Sequence, residues 1–97
     1  MKLIDVNKAR KILEEEFLEA KRAFIEKNEN LLDEIFSVIE DSCKSFRYSC
    51  LFHVSKDRIT NLESEILVAL LEDWGYKANI LPNYVNSYAL EVSWHNE

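Results

Sequence analysis

Glycine and proline are almost missing from this chain, with one of each in 97 residues. Because Gly75 is the sole glycine, neither a Walker-type phosphate loop nor a dinucleotide-binding fingerprint can be present; both need several glycines to bring backbone close to a phosphate. No apolar run approaches the roughly 20 residues that cross a bilayer. The start, Met1, Lys2, Leu3, Ile4 and Asp5, turns charged at once, so no signal peptide is expected and the location expected is the cytoplasm. Two cysteines, Cys43 and Cys50, are too few for a disulfide framework. Both fall in apolar-patterned stretches, which predicts buried thiols in a reducing compartment. The net charge of -6 disfavours nucleic acid and anionic lipid as partners, because phosphate contacts need clustered Lys and Arg.

What remains is the material of a core, since 47% of residues are apolar or aromatic. The whole chain, 1–97, reads as a single domain. Its acidity is uneven: residues 1–30 hold seven acidic and seven basic side chains, whereas 31–46 and 59–75 together hold eight acidic and one basic, Lys44.

Asp5 is placed to cap a long amphipathic helix over 5–27, in which Val6, Ala9, Leu13, Phe17, Ala20 and Phe24 recur at steps of three and four. Leu18 and Ile25 project about 120° from that stripe, making the helix apolar on two sides. At about 34 Å it should overhang a second helix of about 24 Å, and self-association through Phe17, Leu18, Phe24 and Ile25 is the expectation. Asn30 is read as the cap of that second helix, 31–46, with Leu32, Ile35, Phe36, Ile39, Cys43 and Phe46 as its stripe and Leu31 and Val38 beside it.

From 47 to 54 the period changes to two, with Tyr48, Cys50, Phe52 and Val54 facing one way and Arg47, Ser49, Leu51 and His53 the other. Thr60 followed by Glu63 is a capping box ahead of Leu62, Ile66, Leu67, Leu70, Leu71 and Trp74, and Gly75 stands where a helix stops through a left-handed residue. Strands over 76–81 and 87–94, joined by a turn at 82–86, complete an α+β fold of order α-α-β-α-β-β. Its three-stranded, largely antiparallel sheet is covered by helices, with strand order left open.

No constellation of catalytic residues emerges. Cys50 and His53, three apart in a strand, point to opposite faces, and Cys43 has no CxxC partner. The run Glu14, Glu15, Glu16 fans out by about 100° per residue, so these carboxylates cannot converge on one bond. The rings of Tyr48, Phe52, Tyr76, Tyr88, Trp74 and Trp94 are core material. Tyr84, in the turn, is the ring expected to meet a partner. Asp33, Glu34, Glu40, Asp41, Glu65, Glu72 and Asp73 are expected on adjacent outward faces, an acidic surface able to meet a basic groove.

Leu70, Leu71, Trp74, Gly75 and Tyr76, then Tyr88, Leu90, Val92, Ser93 and Trp94, resemble a pattern in short uncharacterised bacteriophage proteins of Gram-positive hosts. The likeness is confined to the C-terminal half and implies a virus-encoded accessory protein acting inside the host cell. The expectation is therefore a non-enzymatic homo-oligomer with no metal and no cofactor. It binds a host protein through Asp33, Glu34, Glu40, Asp41, Glu72, Asp73 and Tyr84, possibilities that include counter-defence. One alternative is an oligomeric binder of a small ligand or nucleotide signal at Arg47, Arg58 and Tyr84; another is a minor virion or assembly component.

Overall fold

The structure, a computed structural model, describes residues 4–82 and 84–95. Residues 1–3, at the charged start, residue 83, inside the expected 82–86 turn, and residues 96–97 lie outside the described residues.

Helix α1 (Val6–Lys27) opens at Asp5, whose extended backbone lets its carboxylate accept the Lys8 N–H at 2.8 Å. Helix α2 (Glu29–Lys44) follows almost without interruption. The cap expected at Asn30 is corrected to Asn28, which is buried between the two helices. Its side-chain amide turns back to donate to the Phe24 carbonyl at 3.1 Å, and its own N–H donates to the same oxygen at 2.9 Å. Phe24, Leu31 and Leu32 are all buried around the junction, so the Phe24 carbonyl is satisfied from within the chain, by the backbone and the side chain of Asn28 together.

The end of α2 departs from expectation. Ser45 is its C-cap, and Phe46, predicted to continue the apolar stripe, takes a left-handed backbone at φ 61. The Phe46 N–H donates to the Cys43 carbonyl and the Arg47 N–H to that of Ser42, the paired bonds of a Schellman motif. That turn throws the Phe46 ring outward, where it is 92% exposed, and leaves Cys43 exposed as well. Neither belongs to the core.

Strand β1 (Ser49–Ser55) starts later than the alternation at 47 suggested, because the Schellman turn occupies Arg47. Helix α3 (Asn61–Asp73) carries the full capping box: Glu63 N–H to Thr60 Oγ1 and Thr60 N–H to Glu63 Oε1, each 3.1 Å. Its apolar stripe ends in Trp74, and Gly75 at φ 97 closes a second Schellman motif through Gly75 N–H to Glu72 and Tyr76 N–H to Leu71.

Strands β2 (Lys77–Leu81) and β3 (Ser87–Ser93) form the expected hairpin. The strand order, open in the sequence, is β1-β3-β2, with β3 antiparallel to both neighbours. β1 and β2 therefore run parallel but never touch, and α3 carries the chain across β3 between them.

One face of this sheet is covered. Val54 of β1 and Leu90 and Val92 of β3 pack with Leu31, Leu32, Ile35 and Ile39 of α2 and with Ile66, Leu67, Leu70 and Leu71 of α3, α2 lying over β1 and α3 over β2. Full burial of each Leu or Ile stabilises by about 1.5–3 kcal/mol, so this layer dominates the fold. On the other face Leu51, His53, Lys77, Asn79 and Glu91 are exposed around the buried Ala89 of the central strand.

α1 packs on the core of this body through its C-terminal third, by Ala20, Phe24 and Ile25. The rest projects. The radius of gyration is 15.7 Å and the long axis 58 Å, against a radius of about 12.5 Å for a compact domain of this length.

Candidate functional site

The projecting part of α1 is the largest departure from an ordinary buried-apolar pattern. Residues 6–19 are all exposed, and among them Leu13 is 63% and Leu18 52% exposed. Leu13, Phe17 and Leu18 line a hollow with Glu14 and Lys21. Leu13 and Phe17 also border a second hollow with Ala20, Ile66 and Leu62, the last 65% exposed at the start of α3. Lys21 sits between helix and body: its Nζ lies 5.1 Å from the Phe17 ring centroid and 2.5 Å from Asp73 Oδ2. Leu13, Phe17 and Leu18 thus form apolar surface that the fold of the chain does not cover.

Of the residues expected to serve self-association, Phe17 and Leu18 are on this exposed surface. Phe24 and Ile25 are not. Phe24 is only 3% exposed in the core and Ile25 packs against it, because α2 and α3 close over the C-terminal end of α1.

The acidic residues Asp33, Glu34, Glu40, Asp41, Glu65, Glu72 and Asp73 are all exposed. Their field is reduced from within the chain, since Arg58 pairs with Glu34, Lys44 with Glu40 at 3.3 Å, and Lys21 with Asp73. The Arg58 hydrogen bond holds the Glu34 carboxyl below its ordinary range, against slight desolvation. Glu63, near the apolar stripe of α3, is likewise held below its ordinary value, first by the Thr60 N–H and, against partial burial, by Lys27.

The grouping of Arg47, Arg58 and Tyr84 is corrected. Arg47 precedes β1 and lines a hollow with Cys43, Phe46, Tyr48 and Trp94, whereas Arg58 follows β1 and is engaged by Glu34. The strand between them spans roughly 20 Å, so they cannot close on one small ligand within a chain. Tyr84 belongs to the Arg58 end, its ring edge-on to His53 at 5.1 Å and its carbonyl accepting Lys56 Nζ at 3.2 Å.

The nearest approach to a catalytic pair is His53 Nδ1 with Ser87 Oγ at 3.3 Å. It lies on the exposed sheet face, with Tyr84 against the imidazole, and a Ser–His pair needs a third group to orient the ring and donors for an oxyanion. Among the described residues no three His, Cys, Asp or Glu side chains are grouped as metal ligands, and no helix is long and apolar enough to cross a membrane. Cys50 is half-buried, which together with nearby Cys43 pushes its thiol pKa up, away from the reactive thiolate.

Sequence reasoning missed the aromatic end of the molecule. Phe46 stands out from a surface that includes Tyr48, edge-on to His95 at 5.0 Å, and Trp94, edge-on to Tyr76 at 6.3 Å. The three-residue step from Cys43 to Phe46 disguised it, because that spacing reads as one more turn of helix. No protein-family model, curated protein or solved structure matches this chain.

Proposed function

We propose that this protein acts by binding other proteins and not by catalysis, with the projecting side of α1 as its principal contact element. The observation that carries the reading is the exposed row of Leu13, Phe17 and Leu18 beside Leu62, on a helix that extends past its own body. A free stretch this short is a marginal helix in water and gains stability chiefly by packing its apolar side. A role inside a bacterial host, as a phage-encoded accessory protein, rests on the C-terminal resemblance and belongs to the same proposal.

A photo-crosslinking amino acid at Leu13 should give protein adducts in cells, while the same group at Glu65 on the outer side of α3 should give few. Equal labelling at both positions would reject α1 as the contact element.

A second contact surface is favoured by Phe46. A bulky residue with positive φ costs about 1–3 kcal/mol, and the ring, 92% exposed, buries little in return among the described residues. Phe46 is thus better suited than the partly neutralised acidic surface to be the anchor for a host protein. Phe46→Gly should abolish capture of a bound partner while leaving the fold intact; undiminished capture would remove this surface from consideration.

A further inference from the structure

The charges of α1 are sorted along its length. Lys8, Arg10 and Lys11 come first, then Glu14, Glu15, Glu16 and Glu19, and none of these forms an ion pair among the described residues. The order is unfavourable for an isolated helix on two counts. Cations in the first turns oppose the positive end of the macrodipole, and within the first turn no acidic residue joins the Asp5 cap to offset them. Arg10 ahead of Glu14 is also the weaker orientation of an i, i+4 pair.

We propose that the occupant of the exposed α1 surface is the same segment of a second copy of this chain, laid antiparallel; the inference rests on the reading of α1 as a contact element. Antiparallel pairing sets Arg10 of each copy against Glu14 of the other, whereas parallel pairing sets like against like; Lys8, Lys11 and Glu15 point away from the seam.

The apolar spacing agrees. Val6, Ala9, Leu13, Phe17, Ala20 and Phe24 follow an eleven-residue repeat, which keeps a seam on one side of a nearly straight helix. Ala20 and Phe24 are taken by the chain's own body, so the free seam runs from Val6 to Phe17. A two-fold axis near residue 11 brings Val6 of one copy to Phe17 of the other and places small Ala9 beside large Leu13. Arg10 and Glu14, on the same flank of the seam, then meet Glu14 and Arg10 of the second copy. The far end of each helix reaches the hollow formed by Leu13, Phe17 and Leu62, which carries the contact from the helix onto the body.

Light scattering behind a sizing column, at low salt and high protein concentration, reads the pairing directly. The intact chain should show twice its 11.4 kDa mass. Reversing the flanking cation (Arg10→Glu) should halve that mass, and adding Glu14→Arg should restore it. Circular dichroism confirms that each variant is folded. Spin labels in a Cys43→Ser/Cys50→Ser background provide a second measurement that does not require altering the charges. Labels at Ile12 should lie close across the axis, and labels at Glu19 farther apart by roughly 20 Å.

A monomeric intact chain overturns the pairing, and if Leu13 still crosslinks to another protein the contact reading survives it. A dimer indifferent to the charge reversal, or equal label separations at both positions, overturns the antiparallel arrangement.

Discussion

Phe46 and Gly75 hold equivalent positions: each is the first residue past the C-cap of a helix, each has a left-handed backbone, at φ 61 and 97, and each closes a Schellman motif. Glycine reaches this conformation without steric cost, and phenylalanine does not. Phe46→Gly should therefore raise stability by about 1 kcal/mol, read as a higher urea midpoint at unchanged slope. Gly75→Ala should lower it by a similar amount, although no atom lies within 4 Å of the added Cβ, because the loss is in the backbone alone.

Phe24 and Leu13 lie on the same stripe of α1 but in different surroundings. Phe24→Ala should cost about 3–5 kcal/mol by opening a cavity under α2 and α3. Leu13→Ala should change the stability of a single chain by no more than about 0.5 kcal/mol. If α1 pairs, the Leu13 effect should grow with protein concentration and the Phe24 effect should not, a difference that thermal melts at two concentrations would show.

Asn28 joins α1 to α2 through its bond to the Phe24 carbonyl. Asn28→Ala removes the side-chain donor but leaves the backbone N–H of residue 28 on the same carbonyl, so it should cost about 0.5–1.5 kcal/mol, seen as a lower midpoint in chemical denaturation.

Glu63 links stability to pH. Its folded pKa lies below the ordinary 4.5, first because the Thr60 N–H donates to the carboxylate. The stabilisation is complete above the unfolded value and is lost as pH falls through the lower folded one. Glu63→Gln should flatten this part of the acid unfolding curve, and Thr60→Ala, which removes the opposite half of the capping box, should cost about 1 kcal/mol even at neutral pH.

Signals carried by a few neighbouring residues were legible before any coordinates. Asp5, the Thr60–Glu63 pair and Gly75 act within one turn of helix, so their chemistry does not depend on what packs around them. The alternation along 47–54 and 87–94 and the steps of α1 and α3 likewise follow from the periods of strand and helix, which is why the element order could be written from the chain. The overhang of α1 followed from length alone.

Tertiary structure decided where those periods stop mattering. An apolar residue at the right spacing becomes core only if a neighbour arrives to cover it. α2 and α3 cover Phe24 and Ile25 but not Leu13 or Phe17, and no described residue covers Phe46 once the chain has turned. Placing β3 between β1 and β2 required long-range hydrogen bonds that local pattern does not encode, and the length of β1 then set Arg47 apart from Arg58 and Tyr84. The exposed surfaces that carry the functional proposals are, for the same reason, products of packing: they are the apolar positions that the fold leaves without a partner.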